Sequence, residues 1–375
     1  MSATIRSLNV AAIDLFCGVG GKTHGFIRAG LPVIAGFDID ETCRFAYETN
    51  NPGAKFYHEN ISKLDPETIR GLYPPGVVKV LIGCAPCQPF STYSRRYKKA
   101  AGSDGHSSRW DLLRAFKRLI SEVRPEIVSA ENVPELARSG DPAYLEFVEM
   151  LKSAEYLVEE RIVKCADYGV PQTRERLVIL ASRIGRIQLP PPTHDPASYQ
   201  TVEDAIGHLS KLDAGGISES DSLHRASRLS PLNLKRIKMT PEGGGWYDWP
   251  EELRLECHKR STGVTYPSVY GRMCWKELAP TITTQCFGYG NGRFGHPTQH
   301  RAISLREAAL LQTFPTSYVF HEANKPPIFS RIGRHIGNAV PVLLAEVIAG
   351  AILRDLTAAT RPNQKNSLQE IPYCL

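Results

Sequence analysis

Residues 10–30 read VAAIDLFCGVGGKTHGFIRAG. A short apolar run enters a glycine-rich corner and leaves as a helical pattern, which predicts a strand–turn–helix unit. Glycines 18, 20, 21 and 25 follow the strand. A turn of this kind brings backbone close to a nucleotide-like ligand, with helix N–H groups facing it. Two diphosphate-cradling patterns fail here. The fingerprint G-x-G-x-x-G needs glycine where Thr23 stands, and the P-loop that GGKT suggests needs its first glycine at Phe16. What remains is a ligand without a diphosphate, with Phe16 able to lie against an adenine or a ribose. Asp38, ending the next strand, is suited to accept from both ribose hydroxyls; capping of the following helix is the alternative.

Working outward, strand-like runs recur at PVIAGFDI (32–39), VVKVLIG (77–83), EIVSAEN (126–132) and RLVILASR (176–183). Helical patterns lie between them, at DETCRFAYETN (40–50, with Asp40 as N-cap), RWDLLRAFKRLISEV (109–123) and PAYLEFVEMLKSAEY (142–156). This alternation predicts an α/β fold with a doubly wound, mostly parallel sheet. The texture changes at LPPPTHDPASY (189–199). From there to about residue 300 the chain is rich in Gly, Pro and aromatics, as in TPEGGGWYDWPEEL and QCFGYGNGRFGHP. Weak periodicity predicts a smaller, irregular and mainly β domain. Helical signals return at ISLREAALLQTFP (303–315) and NAVPVLLAEVIAGAILRDL (338–356). The expected domains are 1–189, 190–299 and a return at 300–356, with 357–375 a flexible tail.

Of 375 residues, 42% are hydrophobic and 22% charged, an ordinary globular composition. No apolar run approaches the ~18 residues of a membrane span, and the N-terminus lacks a signal-peptide pattern. No membrane partner is expected. Nine scattered cysteines suit free thiols in a reducing compartment, hence a cytoplasmic protein. The net charge of +6 is a mild pointer to a polyanionic partner.

Two cysteines in GCAPCQPFS (83–91) could be a redox pair, half of a zinc site or a lone nucleophile. Nothing of thioredoxin size surrounds them, and no second Cys/His cluster of matching spacing offers zinc its remaining ligands. Cys84 continues the apolar run and suits a buried strand end. Cys87 stands between Pro86 and Pro89, which hold it out of regular structure, as a thiol that must be aimed requires. PCQPFS (86–91), with DLFCGVGG (14–21), ENV (131–133), QTRER (172–176) and GNAVP (337–341), resembles the DNA cytosine-5 methyltransferase family, its blocks standing in the family's order.

The resemblance implies a Rossmann-like catalytic domain and a target-recognition insert. It also implies S-adenosylmethionine as cofactor, S-adenosylhomocysteine as product, and no metal. Cys87 is implied as the thiolate that adds to cytosine C6. Glu131 would engage N3 and the exocyclic amine. Arg174 and Arg176 would face the base's O2 and the catalytic centre, Arg176 the more directly. The implied cofactor residues are Phe16, Gly18, Gly20, Asp38, Ile39, Asn60, Ile61, Pro86, Leu112, Asn338 and Ala339. Many members have aspartate where Asn60 stands, and tryptophan where Ile39 stands; the first bears on adenine affinity, the second on stacking area.

The implied partner is double-stranded DNA, whose target base must leave the stack. Gln88 and Ser91 lie beside the nucleophile, and Arg95, Arg96, Lys98 and Lys99 form a basic cluster resembling the family's mobile loop. In the insert, Arg225, Arg228 and Arg236 are candidate DNA contacts. A cognate restriction endonuclease is a candidate companion, and a monomer associated with the nucleoid through DNA is expected. An RNA methyltransferase on the same blocks, or a DNA-binding regulator without turnover, are the rivals. The insert favours duplex DNA, and the joint presence of Cys87, Glu131 and Arg176 favours an enzyme.

Overall fold

Strand β1 (Val10–Leu15) is buried at all of its positions, as a strand covered on both faces must be. β2 (Val33–Asp38), β3 (Lys55–His58), β4 (Val78–Gly83), β5 (Ile127–Asn132), β6 (Leu157–Lys164) and β7 (Glu175–Ser182) complete one sheet. Its order is β3-β2-β1-β4-β5-β7-β6. The strands β1 to β5 run parallel, and β7 lies antiparallel between β5 and β6. The computed structural model describes residues 9–86, 110–260 and 266–360.

This is the mostly parallel α/β sheet that the alternation predicts. The order of strands reverses between β1 and β4, which opens a crevice beyond their carboxyl ends. Two strands escape the sequence pattern, β3 and β6, and both are edges. In β6, LVEERIVK, only Val163 is fully buried, so no continuous apolar run marks it.

The helix Gly21–Arg28 packs tightly on the last helix, Val342–Thr360. A Cβ on Gly25 would meet Val342 O at 2.4 Å and Ala345 Cβ at 2.6 Å. The stretch Phe329–Ala358, which takes in most of that last helix, corrects the expectation that no segment is long and apolar enough for a membrane span: by length and composition, it is. Its hydrophobicity has a different cause. Leu344, Ala345, Ile348 and Ile352 pack in one core with Ala12, Phe26, Val80 and Ile82, under the sheet. The helix runs to Thr360, past the expected break at 356; residues 361–375 lie outside the described residues.

Residues 190–299 are irregular, but the mainly β character expected of them is corrected. Among the described residues they contain no strand, only isolated bridges, the short helices Val202–Ile206, Pro231–Met239 and Glu256–Lys259, and 3-10 turns at Trp246–Asp248, Glu251–Leu253 and Tyr289–Asn291. Glycines and prolines interrupt any ladder before it extends. Ile237, Trp246, Trp249, Tyr289 and Ala302 make a small core of their own. Val202, Ile206, Met273 and Ile282 instead join Val19, Tyr47, Leu305 and Phe314, binding the insert to the sheet layer.

Candidate active site

Register brings three strand ends together. Leu15 pairs with Gly83, and Gly83 with Ala130. The turn after β1, the segment Cys84–Pro86 after β4 and Glu131 on β5 therefore sit side by side. They line one cavity of about 1010 Å3, at the top of the range for small-molecule sites.

At one end the chain turns sharply through Phe16 (φ 61°), Gly18 (51°) and Gly20 (88°). A phenylalanine in the left-handed region is strained, and such strain clusters at functional sites. Phe16 lines the cavity, edge-on to Phe116. A Cβ on Gly18 would meet open space, so a ligand can approach the backbone there. Gly20 does not line the cavity. A Cβ there would meet Asn51 Nδ2 at 2.7 Å and Tyr47 Cδ2 at 3.0 Å, so the tight turn requires a glycine. Asp38 accepts from Gly18 N and Asp40 N, each at 2.8 Å. Burial raises its pKa, and these two N–H donors oppose the shift. The helix cap falls instead to Asp40, which accepts from Thr42 N. Ile39 is 65% exposed and gives the cavity an apolar wall. Asn60 lines it too, with Oδ1 engaged in capping Ser62 N at 3.0 Å. Ile61, Pro86, Leu112, Asn338 and Ala339 complete this part of the wall.

The other end is charged and buried. Glu131 is 2% exposed, and its Oε1 lies 2.7 Å from Arg176 Nε. The pair is close but poorly aligned, and Oε1 makes no hydrogen bond. Cys84 Sγ donates to the other oxygen at 2.8 Å. Burial, then the neighbouring Glu131, pushes the Cys84 thiol up, so it stays protonated and able to donate. Arg174 donates to Ile282 O and Ala339 O, each at 3.4 Å, while its Nε has no partner. Burial, then Arg176, brings its pKa down to about 10. Asn132 Nδ2 donates to Ala85 O at 3.0 Å and holds the Cys84–Pro86 segment against β5. The unsatisfied Glu131 Oε1 and Arg174 Nε call for a polar ligand, because buried polar groups are normally paired.

Residues 10–354 match the family model for C-5 cytosine-specific DNA methylase. The chain belongs to that family. It is 52% identical to the Type II methylase M.HgiDII of Herpetosiphon aurantiacus, over 92% of this chain and 96% of that protein. Identity to the Type II methyltransferase M1.HphI of Haemophilus parahaemolyticus is 31%, over 93% and 88%. The solved Entamoeba histolytica methyltransferase EhMeth shares the fold, with a TM-score of 0.63 at 16% identity, covering 93% of this chain and 99% of that one. The cavity thus belongs to a DNA cytosine-5 methyltransferase.

Cys87, Gln88, Ser91, Arg95, Arg96, Lys98 and Lys99 lie outside the described residues; Pro86, which precedes Cys87, lines the cavity. Among the arginines of the insert, Arg228 is exposed and Arg225 half-buried over the Phe329 ring. Arg236 is corrected as a DNA contact. It is 8% exposed, donates to Leu253 O, and lies over the Trp249 and Tyr270 rings. Trp246 and Trp249 are core as well, whereas Tyr247 between them is exposed. Sequence reasoning missed two members of the site, Lys22 and Cys84. It also missed Asp40, Cys43 and His335, whose potential ligand atoms lie within 4.8 Å of one another. Asp40 there is already paired with Arg334 at 2.8 Å, and burial, then Asp38 and Asp40, keeps the Cys43 thiol protonated.

Proposed function

We propose that this methyltransferase uses S-adenosylmethionine and modifies C5 of a cytosine swung out of double-stranded DNA, through a transient bond between Cys87 Sγ and C6. The observation that carries this is one cavity with two unlike ends, a strained turn with Asp38 at one and the Glu131–Arg176 pair at the other. The residues fit the cofactor. Its nucleoside end is flanked by the carboxylates Asp38 and Asp40, which suits a ribose and no phosphate. Asp38 would hold the ribose hydroxyls, Phe16 and Ile39 the faces of the nucleoside, and Gly18 the close approach.

Cytosine C5 is a poor nucleophile, and the thiolate of Cys87 changes that by adding to C6. The displaced ring electrons collect at C5 and N3. Glu131 answers the charge at N3 through a shared proton, and Arg176 keeps that carboxyl in place. When bound, the cofactor supplies the electrophilic methyl group that the electron-rich C5 captures. Loss of the C5 proton to water returns its electron pair to the ring and expels the sulfur. The chain is divided as 1–189 and 300–356 for catalysis and 190–299 for target recognition, with Arg225 and Arg228 toward DNA. A monomer in the cytoplasm, in a restriction–modification pair as its Type II relatives' names suggest, completes the proposal.

The test is Cys87→Ser with tritiated S-adenosylmethionine and unmethylated duplex DNA. Methyl incorporation is expected to vanish while DNA binding persists. DNA bearing 5-fluorocytosine should trap a gel-stable adduct with the wild type, because fluorine cannot leave as the proton does. Unchanged methylation by the serine variant sinks the mechanism.

A further inference from the structure

Lys22 belongs to the GGKT fragment that fails as a phosphate loop, and the chemistry above gives it no part. It is 3% exposed, starts the Gly21–Arg28 helix and lines the cavity. A lysine is buried this deeply only when compensated. Its Nζ donates to Ser129 O at 2.9 Å and Gly83 O at 3.4 Å. Gly83 ends β4 directly before Cys84, and Ser129 stands two residues before Glu131 on β5. Both acceptors are carbonyl oxygens, which never donate, so both contacts favour ammonium over amine.

We infer that Lys22 is a positioning residue of methyl transfer, tying the end of β4 to β5 and fixing a positive charge beside the Cys84–Glu131 pair. The inference rests on the proposed function of this cavity. Among the described residues, the groups facing the ammonium are Asp14 on β1, Cys84 after β4 and Glu131 on β5. Arg174 and Arg176 face Glu131 from the β7 side. Burial pulls the lysine pKa down, and these neighbours, Asp14 first, oppose the shift. A charge held in a water-poor site acts strongly on developing anions. It favours the thiolate that starts the reaction and the charge that then spreads over the ring. It also ties the helix to two strands that sequence separates from it by 61 and 107 residues.

The experiment compares wild type, Lys22→Met, Lys22→Gln and Lys22→Arg by methylation of unmethylated bacterial genomic DNA with tritiated S-adenosylmethionine. Thermal unfolding establishes that each variant folds. For Lys22→Met we expect kcat to fall about tenfold or more, with both KM values within about threefold. The ascending limb of the kcat–pH profile should move up by about one pH unit, since a stabilising cation is lost. Lys22→Gln keeps a donor without the charge and should show the same shift, so either variant suffices if the other does not fold. Lys22→Arg should return the limb toward wild type. A limb that stays in place, whether or not kcat falls, overturns the inference. Cys87→Ser run beside them separates the two ideas. Activity in the serine variant refutes the covalent mechanism, whereas a wild-type-like Lys22→Met beside an inactive Cys87→Ser refutes the lysine's role alone.

Discussion

Arg176 Nε sits 2.7 Å from Glu131 Oε1, with the two side chains 13% and 2% exposed. They come from neighbouring antiparallel strands, where Glu131 pairs in register with Val178, two residues past the arginine. The sheet therefore sets this contact, and a buried carboxylate is left without its counter-charge if the arginine goes. Arg176→Ala should lower unfolding free energy by about 3 kcal/mol, the usual cost of stranding one member of a buried pair. Methylation should fall at least a hundredfold. Glu131→Gln should lose as much activity and, by stranding the largely buried Arg176, also lower stability. Denaturant titration and methyl incorporation check both, and wild-type stability in both variants would count against the pairing.

Asp38 ties the first turn to β2 through Gly18 N and Asp40 N. Asp38→Ala is expected to raise the KM for S-adenosylmethionine tenfold or more, with a smaller change in kcat. Gly18→Ala has room for its methyl but must hold φ near 51°. It should fold, at a cost of about 1 kcal/mol, and bind cofactor more weakly, because the methyl fills the approach. Calorimetric titration of the two purified variants decides; wild-type affinity in both would remove the cofactor from this end of the cavity.

Gly25 carries the approach of two helices. A Cβ there would lie 2.4 Å from Val342 O and 2.8 Å from Glu346 N, and backbone cannot yield as a side-chain tip can. Gly25→Ala should cost about 1–3 kcal/mol of stability and Gly25→Val more. The midpoint of thermal unfolding reports it. An unchanged midpoint in the valine variant would mean that the helices pack elsewhere.

Two buried histidines, His296 and His335, are pushed down to about 4 by burial. In the unfolded chain a histidine titrates near 6.5. Between those values the unfolded state binds more protons, so stability rises with pH through that window and is level above it. Acidifying from about 6.5 to about 4 should therefore remove up to about 3 kcal/mol per histidine. Urea unfolding at pH 7 and pH 4.5 measures the loss, and His335→Gln should flatten part of the slope. A slope identical to wild type would show that His335 is protonated in the fold.

Much of the frame was legible in the chain itself. Strands buried on both faces are continuous apolar runs, so β1, β2, β4, β5 and β7 stood out, while the edge strands β3 and β6 did not. A strand with one face in water keeps charges such as Glu159 and Arg161, and its pattern fades into a loop's. Blocks such as DLFCGVGG and QTRER marked the site because each carries its chemistry within a few residues. Arg236 looked like any other exposed cation of a basic insert until Trp249 and Tyr270 closed over it.

The sequence alone determined the central strands with the helices between them, the family, and which short segments would meet at the cavity. Only the tertiary structure decided which polar groups those segments bury. Lys22 finds its acceptors on two other strands, Cys84 donates a hydrogen bond from its thiol to Glu131, and Gly20 packs against Asn51 and Tyr47 in the turn. Whether a charge is solvated or sealed in depends on what distant parts of the chain lay over it, and that is fixed by packing in three dimensions, not by its neighbours in the sequence.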